Sequence, residues 1–183
     1  MTDALAPVMA HVTPFFWGMA ALSVNTAALA AGHLELTGIK LIFPSAAEMI
    51  SFPGNAVCAG RQISVESIPV DGALTAYAGL RAVKPGEANV TVAETAAQMA
   101  VAPTRLAVPV APETIPDIYG NGPPAQVRRM VYVLTLVFEN ELDQAGDMDL
   151  IPVVRLTREG DKINADPKFV PPCLTLSAAP ILA

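Results

Sequence analysis

No stretch of this sequence sustains apolar residues at helical spacing for long. Runs of β-forming residues recur instead, each cut short by a turn-forming pair, and this constrains the fold more than any other feature. The runs are EMISF, RQISVESIPV, ALTAYAGLRAV, ANVTVAE, RRMVYVLTLVFENE, LIPVVRLTRE and KFVPPCLTLS. Pro53-Gly54-Asn55, Asp71-Gly72, Lys84-Pro85-Gly86 and Gly160-Asp161 punctuate them. Many short strands at such spacing indicate an all-β sandwich or barrel. Helix is expected only in two short pieces, NTAALAAG, capped by Asn25 and ended by Gly32, and ETAAQMA.

Two local patterns refine this expectation. In HLELTGIKLIFP the apolar parity flips across Gly38, from Leu34 and Leu36 to Ile39, Leu41 and Phe43, the signature of a β-bulge. From Met130 to Phe138 both faces are apolar: Met130, Tyr132, Leu134, Leu136 and Phe138 on one, Val131, Val133 and Val137 on the other. Such a strand is either central and covered on both sides, or turns its second face to a partner. The segment Gly120 to Gln126 reads as a loop.

Hydrophobic residues make up 52% of the 183 and charged residues 15%, which excludes a disordered chain and suggests that another chain covers some apolar surface. A net charge of -6, with Arg128 and Arg129 as the only adjacent basic pair, argues against a nucleic-acid partner. The stretch from Ala4 to Leu34 lacks Asp, Glu, Lys and Arg, and Ala28 to Ala30 mimics a signal-peptidase site. No Lys or Arg precedes Lys40, however, and Pro7, Pro14, Gly18, Ser23 and Asn25 interrupt the apolar run, so a cytoplasmic location is expected.

Chemistry is sparse. His33 and Glu35 share a face at strand spacing and His11 lies in the same third of the chain, but two or three such ligands make a weak metal signal, so no metal or other cofactor is expected. Glu139, Glu141, Asp143, Asp147 and Asp149 crowd ENELDQAGDMD without the ligand spacing of a calcium loop; a solvated hairpin loop fits better. Cys58 and Cys173 are expected as buried free thiols, with a disulfide as the alternative. No Cys-x-x-Cys, phosphate loop or nucleophile elbow occurs, and nothing assembles a nucleophile, base and orienting group.

Two outer stretches together carry a family resemblance. PFFWGMAALSVNTAALAAGHLELTGIKLIFPSAAEMISFP resembles the N-terminal region of the TssK (ImpJ, VasE) baseplate subunits of the type VI secretion system. That region has an aromatic-Trp-Gly strand, a short Ala-Ala-Leu helix, a leucine-rich strand and a Phe-Pro turn in this order. Arg158 to Gly160, Ala165-Asp166-Pro167 and Phe169 to Leu182 resemble the close of the same domain, FIPP-x-L-x-L-x-A-S-P-x-L. IPDIYG and VYVLTLVFENE fit in position. The resemblance implies a β-sandwich like the shoulder domain of phage receptor-binding proteins, over residues 14–183, preceded by an extended or partly helical segment 1–13. It also implies a structural, non-enzymatic role, with baseplate wedge proteins and sister copies in a trimer as partners and no direct membrane contact. The family's usual first segment and its neck and head are absent, so the head's role at the membrane complex is not carried over.

Candidate interface residues are Phe15, Phe16 and Trp17 at the aromatic entry and Val131, Val133 and Val137 on the two-sided strand; Phe169, Pro171 and Pro172 form the expected domain exit, with Leu174 and Leu176 packed on the sandwich. A carbohydrate- or receptor-binding module is the main alternative, although aromatics are only 5%; a small hydrolase built on the acidic loop is a further one.

Overall fold

The computed structural model describes residues 16–46, 48–120 and 122–182; segment 1–13 and Phe15 lie outside the described residues. Strand β1 (Gly18–Val24) leads to helix α1 (Thr26–Ala30), then β2 (His33–Leu34), β3 (Leu36–Ile42), β4 (Ile50–Phe52), β5 (Ala56–Cys58) and β6 (Arg61–Gln62). β7 (Leu74–Arg81) and β8 (Val90–Ala93) precede helix α2 (Ala96–Ala100). β9 (Leu106–Pro109), β10 (Glu113–Ile115), β11 (Ala125–Val127), β12 (Val131–Phe138), β13 (Met148–Glu159) and β14 (Lys162–Ala165) complete the set.

One sheet has the order β1-β3-β4; the other runs β14-β13-β7-β12-β9-β8, with β5 also paired to β12. Their inner faces meet in one buried cluster: Leu36, Ile39, Leu41 and Phe43 from the first sheet, Ala76, Ala78, Leu80, Leu134, Leu136, Ile151 and Leu156 from the second. The fold is an all-β sandwich, and apolar burial between its sheets is its main support.

The pattern of β3 explains how one strand can bury residues of both parities. β1 pairs Ser23 with Gly38 but Val24 with Leu36, which leaves Thr37 as the extra residue of a bulge. Leu36, Ile39 and Leu41 thereby face the same core. β13 uses the same device around a proline. Tyr77 pairs with Pro152 and Ala76 with Val154, so Val153 is extra and Ile151, Val153, Val154 and Leu156 are all buried. A proline, which cannot donate to the ladder, is tolerated in a central strand because the ladder is already interrupted there.

Both expected helices form, each stopped within five residues. Asn25 Oδ1 accepts from the Ala28 amide (3.1 Å) and Asn25 Nδ2 donates to Glu35 (2.8 Å), so one side chain caps α1 and ties it to the following strand. Thr95 and Gln98 form a reciprocal capping box on α2.

β12 occupies two neighbourhoods in turn. Its first half pairs with β5 in parallel and with β9 antiparallel; its second half pairs antiparallel with β7. Of the two readings of this strand, the chain itself supplies the cover at two of the three positions. Val133 is 2% exposed in a small second core with Ala102 and Ala107, flanked by Met99, and Val137 is 5% exposed.

Two expected strands are corrected. In RQISVESIPV only Arg61 and Gln62 are strand; Val65–Ser67 is a 3-10 helix, because Ser67 Oγ donates to the Ser64 carbonyl (2.6 Å) and offers the backbone a local alternative to a ladder. In KFVPPCLTLS only one parallel bridge forms, Cys173 to Met19. Leu176 is 70% exposed rather than packed; Ala178 and Ala179 of the next turns are buried instead.

Candidate protein interface

The two ends of the described chain meet at the glycine of Phe-Trp-Gly-Met. The Met19 amide donates to the Pro172 carbonyl (2.7 Å) and the Leu174 amide donates to the Met19 carbonyl (2.8 Å). Thr175 Oγ1 adds a bond to the Ala20 carbonyl (2.8 Å). Gly18 has φ +134°, and a Cβ there would lie 2.6 Å from the Pro172 oxygen, so no other residue fits without displacing the Pro-Pro segment. Trp17 packs on the main core while Phe16 is 54% exposed beside it. On the other side Pro171 is buried, and the Arg155 guanidinium lies 5.3 Å from the Phe169 ring centre while pairing with Asp166 (2.6 Å). The amide of Lys168 and then Arg155 hold the Asp166 carboxyl below its usual range.

The candidate residues therefore divide. Phe16, Trp17, Phe169, Pro171 and Pro172 belong to the two chain segments joined at this seam. Val133 and Val137 are covered by the chain's own residues, and Val131 is half-buried against the second core. The structure does not gather the two candidate groups on one surface.

Two carboxylates of the acidic stretch, Glu141 and Asp147, have basic partners. Arg61 makes a two-pronged contact with Glu141 (2.6 and 2.9 Å), donates to the Leu136 carbonyl (3.0 Å) and lies 4.9 Å from the Phe138 ring centre. This hydrogen-bonded guanidinium keeps the Glu141 carboxyl below its ordinary value, as Lys84 does for Asp147. Residues Glu139–Gln144 form a 3-10 helix, and among the described residues no group of three or more His, Cys, Asp or Glu could hold a metal ion. Cys58 and Cys173 are free thiols, each partly exposed rather than fully buried as expected; the burial that Cys58 does have pushes its thiol up to about 12, too high for a reactive thiolate at neutral pH. Buried Arg105, which sequence reasoning missed, donates to the Arg81 carbonyl (2.6 Å) and lies 5.8 Å from the Tyr132 ring centre, tying β9 to β7 and β12.

A surface also missed is the ribbon β10-β11, which continues the β9-β12 hairpin outward and pairs only with itself among the described residues. At its tip Ile118 is 77% and Tyr119 94% exposed, and Met130 at its base is 57% exposed. The tip is shaped by Asp117, whose carboxylate accepts from the Tyr119 and Gly122 amides (2.9 and 3.1 Å). Its sequence signal was present in Pro112 and Pro116, which bracket ETI, and in Pro123 and Pro124, which precede AQV; all favour extended backbone. No helix among the described residues is long and apolar enough to cross a membrane.

The seam and the sandwich can be set beside known proteins. Residues 1–183 match the model of a bacterial type VI secretion family that includes EvfL, ImpJ and VasE. The chain belongs to this family. No curated protein sequence matches it. Among solved structures it is similar to TssK in the cryo-electron microscopy structure of the type VI secretion TssK-TssF-TssG baseplate subcomplex, with TM-score 0.76 and 22% identity, over 97% of this chain and 56% of that one. It is also similar to TssK of EAEC in complex with a nanobody (TM-score 0.69, 21% identity, 98% and 55%) and to a crystal structure of TssK (TM-score 0.79, 19% identity, 98% and 39%). These likenesses establish a shared fold, and the chain spans between two fifths and three fifths of those proteins.

Proposed function

We propose that this chain is a structural assembly domain of a type VI secretion baseplate, working in the cytoplasm by binding wedge proteins and sister copies and carrying no catalytic activity. The observation that carries this reading is the family match over 1–183 together with the likeness, over 97% of the chain, to TssK in a subcomplex with TssF and TssG. Residue chemistry supports it: two carboxylates of the acidic stretch, Glu141 and Asp147, are engaged in ion pairs with Arg61 and Lys84, while large apolar side chains stand exposed at Phe16, Ile118, Tyr119 and Met130. Charges spent on internal clamps and apolar side chains left in water suit binding to another chain better than turnover of a small molecule.

In this proposal residues 14–183 act as one sandwich body and 1–13 as a separate leading segment. The domain-exit motif Phe169, Pro171 and Pro172 locks the closing segment to the entry at Gly18. Interface positions among the described candidates narrow to Phe16 and Trp17, with Val131 at the margin. The test is co-expression of the chain with TssF and TssG homologues from the same bacterium. Capture of both by the tagged chain, lost or weakened in Phe16→Ala, is expected; a well-folded chain that captures neither overturns the proposal.

A further inference from the structure

Beyond that role, the outer face of the larger sheet carries a pocket with a charge of its own. Arg81 and Thr135 alternate along their strands with the core residues Leu80, Leu134 and Leu136, and so point away from the core. The cavity they line holds about 340 Å³, at the small end of ligand pockets, and Val101, Ala102 and Pro103 after α2 form its aliphatic wall. Two guanidiniums reach the lining, Arg61 and Arg81, and among the described residues no carboxylate does, although the chain as a whole has a net charge of -6. Arg61 is already paired with Glu141. Arg81 has no ion-pair partner among the described residues, and its Nε is buried without a hydrogen-bond acceptor. A buried donor left in this state is costly, so native proteins supply it with an acceptor. Asp147 feels the charge of Arg81, but its contact is with Lys84 (3.0 Å). Asp149 also buries an oxygen without a partner, yet it sits across from Leu80 and therefore on the opposite face of the sheet from Arg81.

We propose that this pocket binds a carboxylate carried on a short aliphatic body, paired edge-on with Arg81. The unpartnered atom selects the ligand. Nε and a neighbouring terminal nitrogen form one edge of the planar guanidinium, and the two parallel N–H groups on that edge match the two oxygens of a carboxylate. A phosphate asks for more donors than this lining offers, since beyond Arg81 and the engaged Arg61 it adds the Thr135 hydroxyl and no lysine. The wall of Val101, Ala102 and Pro103 suits a branched hydrocarbon on the same ligand and keeps water from the ion pair, which strengthens it. Arg105 donates to the Arg81 carbonyl (2.6 Å), so the backbone that carries the guanidinium is held in place. Two sources present this chemistry, a free branched short-chain acid and the C-terminal residue of a protein chain. The inference stands on this pocket alone and is independent of the baseplate reading.

The test follows the Arg81 Nε–H resonance and the Val101 and Ala102 amides by NMR in the full chain, titrated with isovalerate and, as controls, with neutral isovaleramide and with sulfate. A saturable shift of all three signals is expected with isovalerate and with neither control. Arg81→Lys keeps the charge but loses the fork, and should bind isovalerate about tenfold or more weakly. A second arm compares the peptide Gly-Ser-Val as a free acid and as its C-terminal amide. Tighter binding of the peptide acid than of isovalerate assigns the pocket to a chain terminus, and the reverse order assigns it to a free acid. The proposal is overturned when neither isovalerate nor the peptide acid gives a saturable shift. It is equally overturned when isovaleramide, sulfate or the peptide amide shifts the same signals as far, or when Arg81→Lys binds at native strength. The controls are ligands on the native chain, so they decide the matter even where Arg81→Lys fails to fold.

Discussion

The sandwich seam and the β10-β11 ribbon are both extended segments rich in proline, yet they treat apolar side chains in opposite ways. At the seam, hydrogen bonds from Met19 and Leu174 seat the Pro-Pro segment, and Pro171, Ala178 and Ala179 are buried. In the ribbon, Ile118 and Tyr119 stand almost fully in water and the polar contacts are local, Asp117 to its own tip and Gln126 to Thr114 (2.8 Å). The difference shows that proline-rich sequence specifies an extended path but not whether that path folds back on a core. The buried contacts lie in the first region, and the second leaves its apolar side chains in water.

The comparison breaks most sharply at Val133. Val133→Asp places an unpaired charge where the residue is 2% exposed, and a loss on the order of 4 kcal/mol or more is expected, enough to unfold the chain in a denaturant titration. A folded Val133→Asp chain that only fails to associate would return this face to the interface. At the seam, Gly18→Ala forces a Cβ within 2.6 Å of the Pro172 oxygen at φ +134°, with an expected cost of about 2 to 4 kcal/mol. Proteolysis should then release the segment from Phe169 onward first; an unchanged melting temperature would mean the seam contributes little.

The Arg61–Glu141 clamp gives a smaller, pH-dependent effect. The Glu141 side chain is 30% exposed, so after allowance for solvent screening Glu141→Gln should cost about 1 to 2 kcal/mol at neutral pH. Its carboxyl is depressed below the ordinary 4.5 in the folded chain, so the stabilisation is present above that value and disappears as pH falls through the lower folded value. The stability difference between native and variant chains should therefore narrow below about pH 4.5; a constant difference down to pH 2 would contradict the ionic origin. Smallest of all, Tyr119→Ala should change stability by no more than about 0.5 kcal/mol, since the side chain is 94% exposed. A larger loss would place the tip inside the fold.

Much of the sandwich was legible because its signals are local. The parity flip at Gly38 predicted the bulge that lets Leu36 and Ile39 share a core, and Asn25 marked its helix. The seam was only half legible. Phe-Trp-Gly and Pro-Pro-Cys stood out separately, but that they touch depends on pairing across about 150 residues, which no local pattern encodes. Val133 stayed open between core and interface for the same reason: its cover comes from Ala102 and Ala107, distant in sequence and too small to advertise a core. In the ribbon, two three-residue strands between prolines gave too short an alternation to read, and the 3-10 helix at Val65–Ser67 shows how serine side chains override a β-like composition.

The central claim is that the sandwich supplies the stability of the fold and that the exposed ribbon contributes little to it. Its most direct measurement replaces residues 113–127 by a short turn joining β9 to β12, then records thermal unfolding. The account predicts a melting temperature within about 3 °C of the native chain, corresponding to about 1 kcal/mol or less for a domain of this size. A collapsed melting temperature would contradict it.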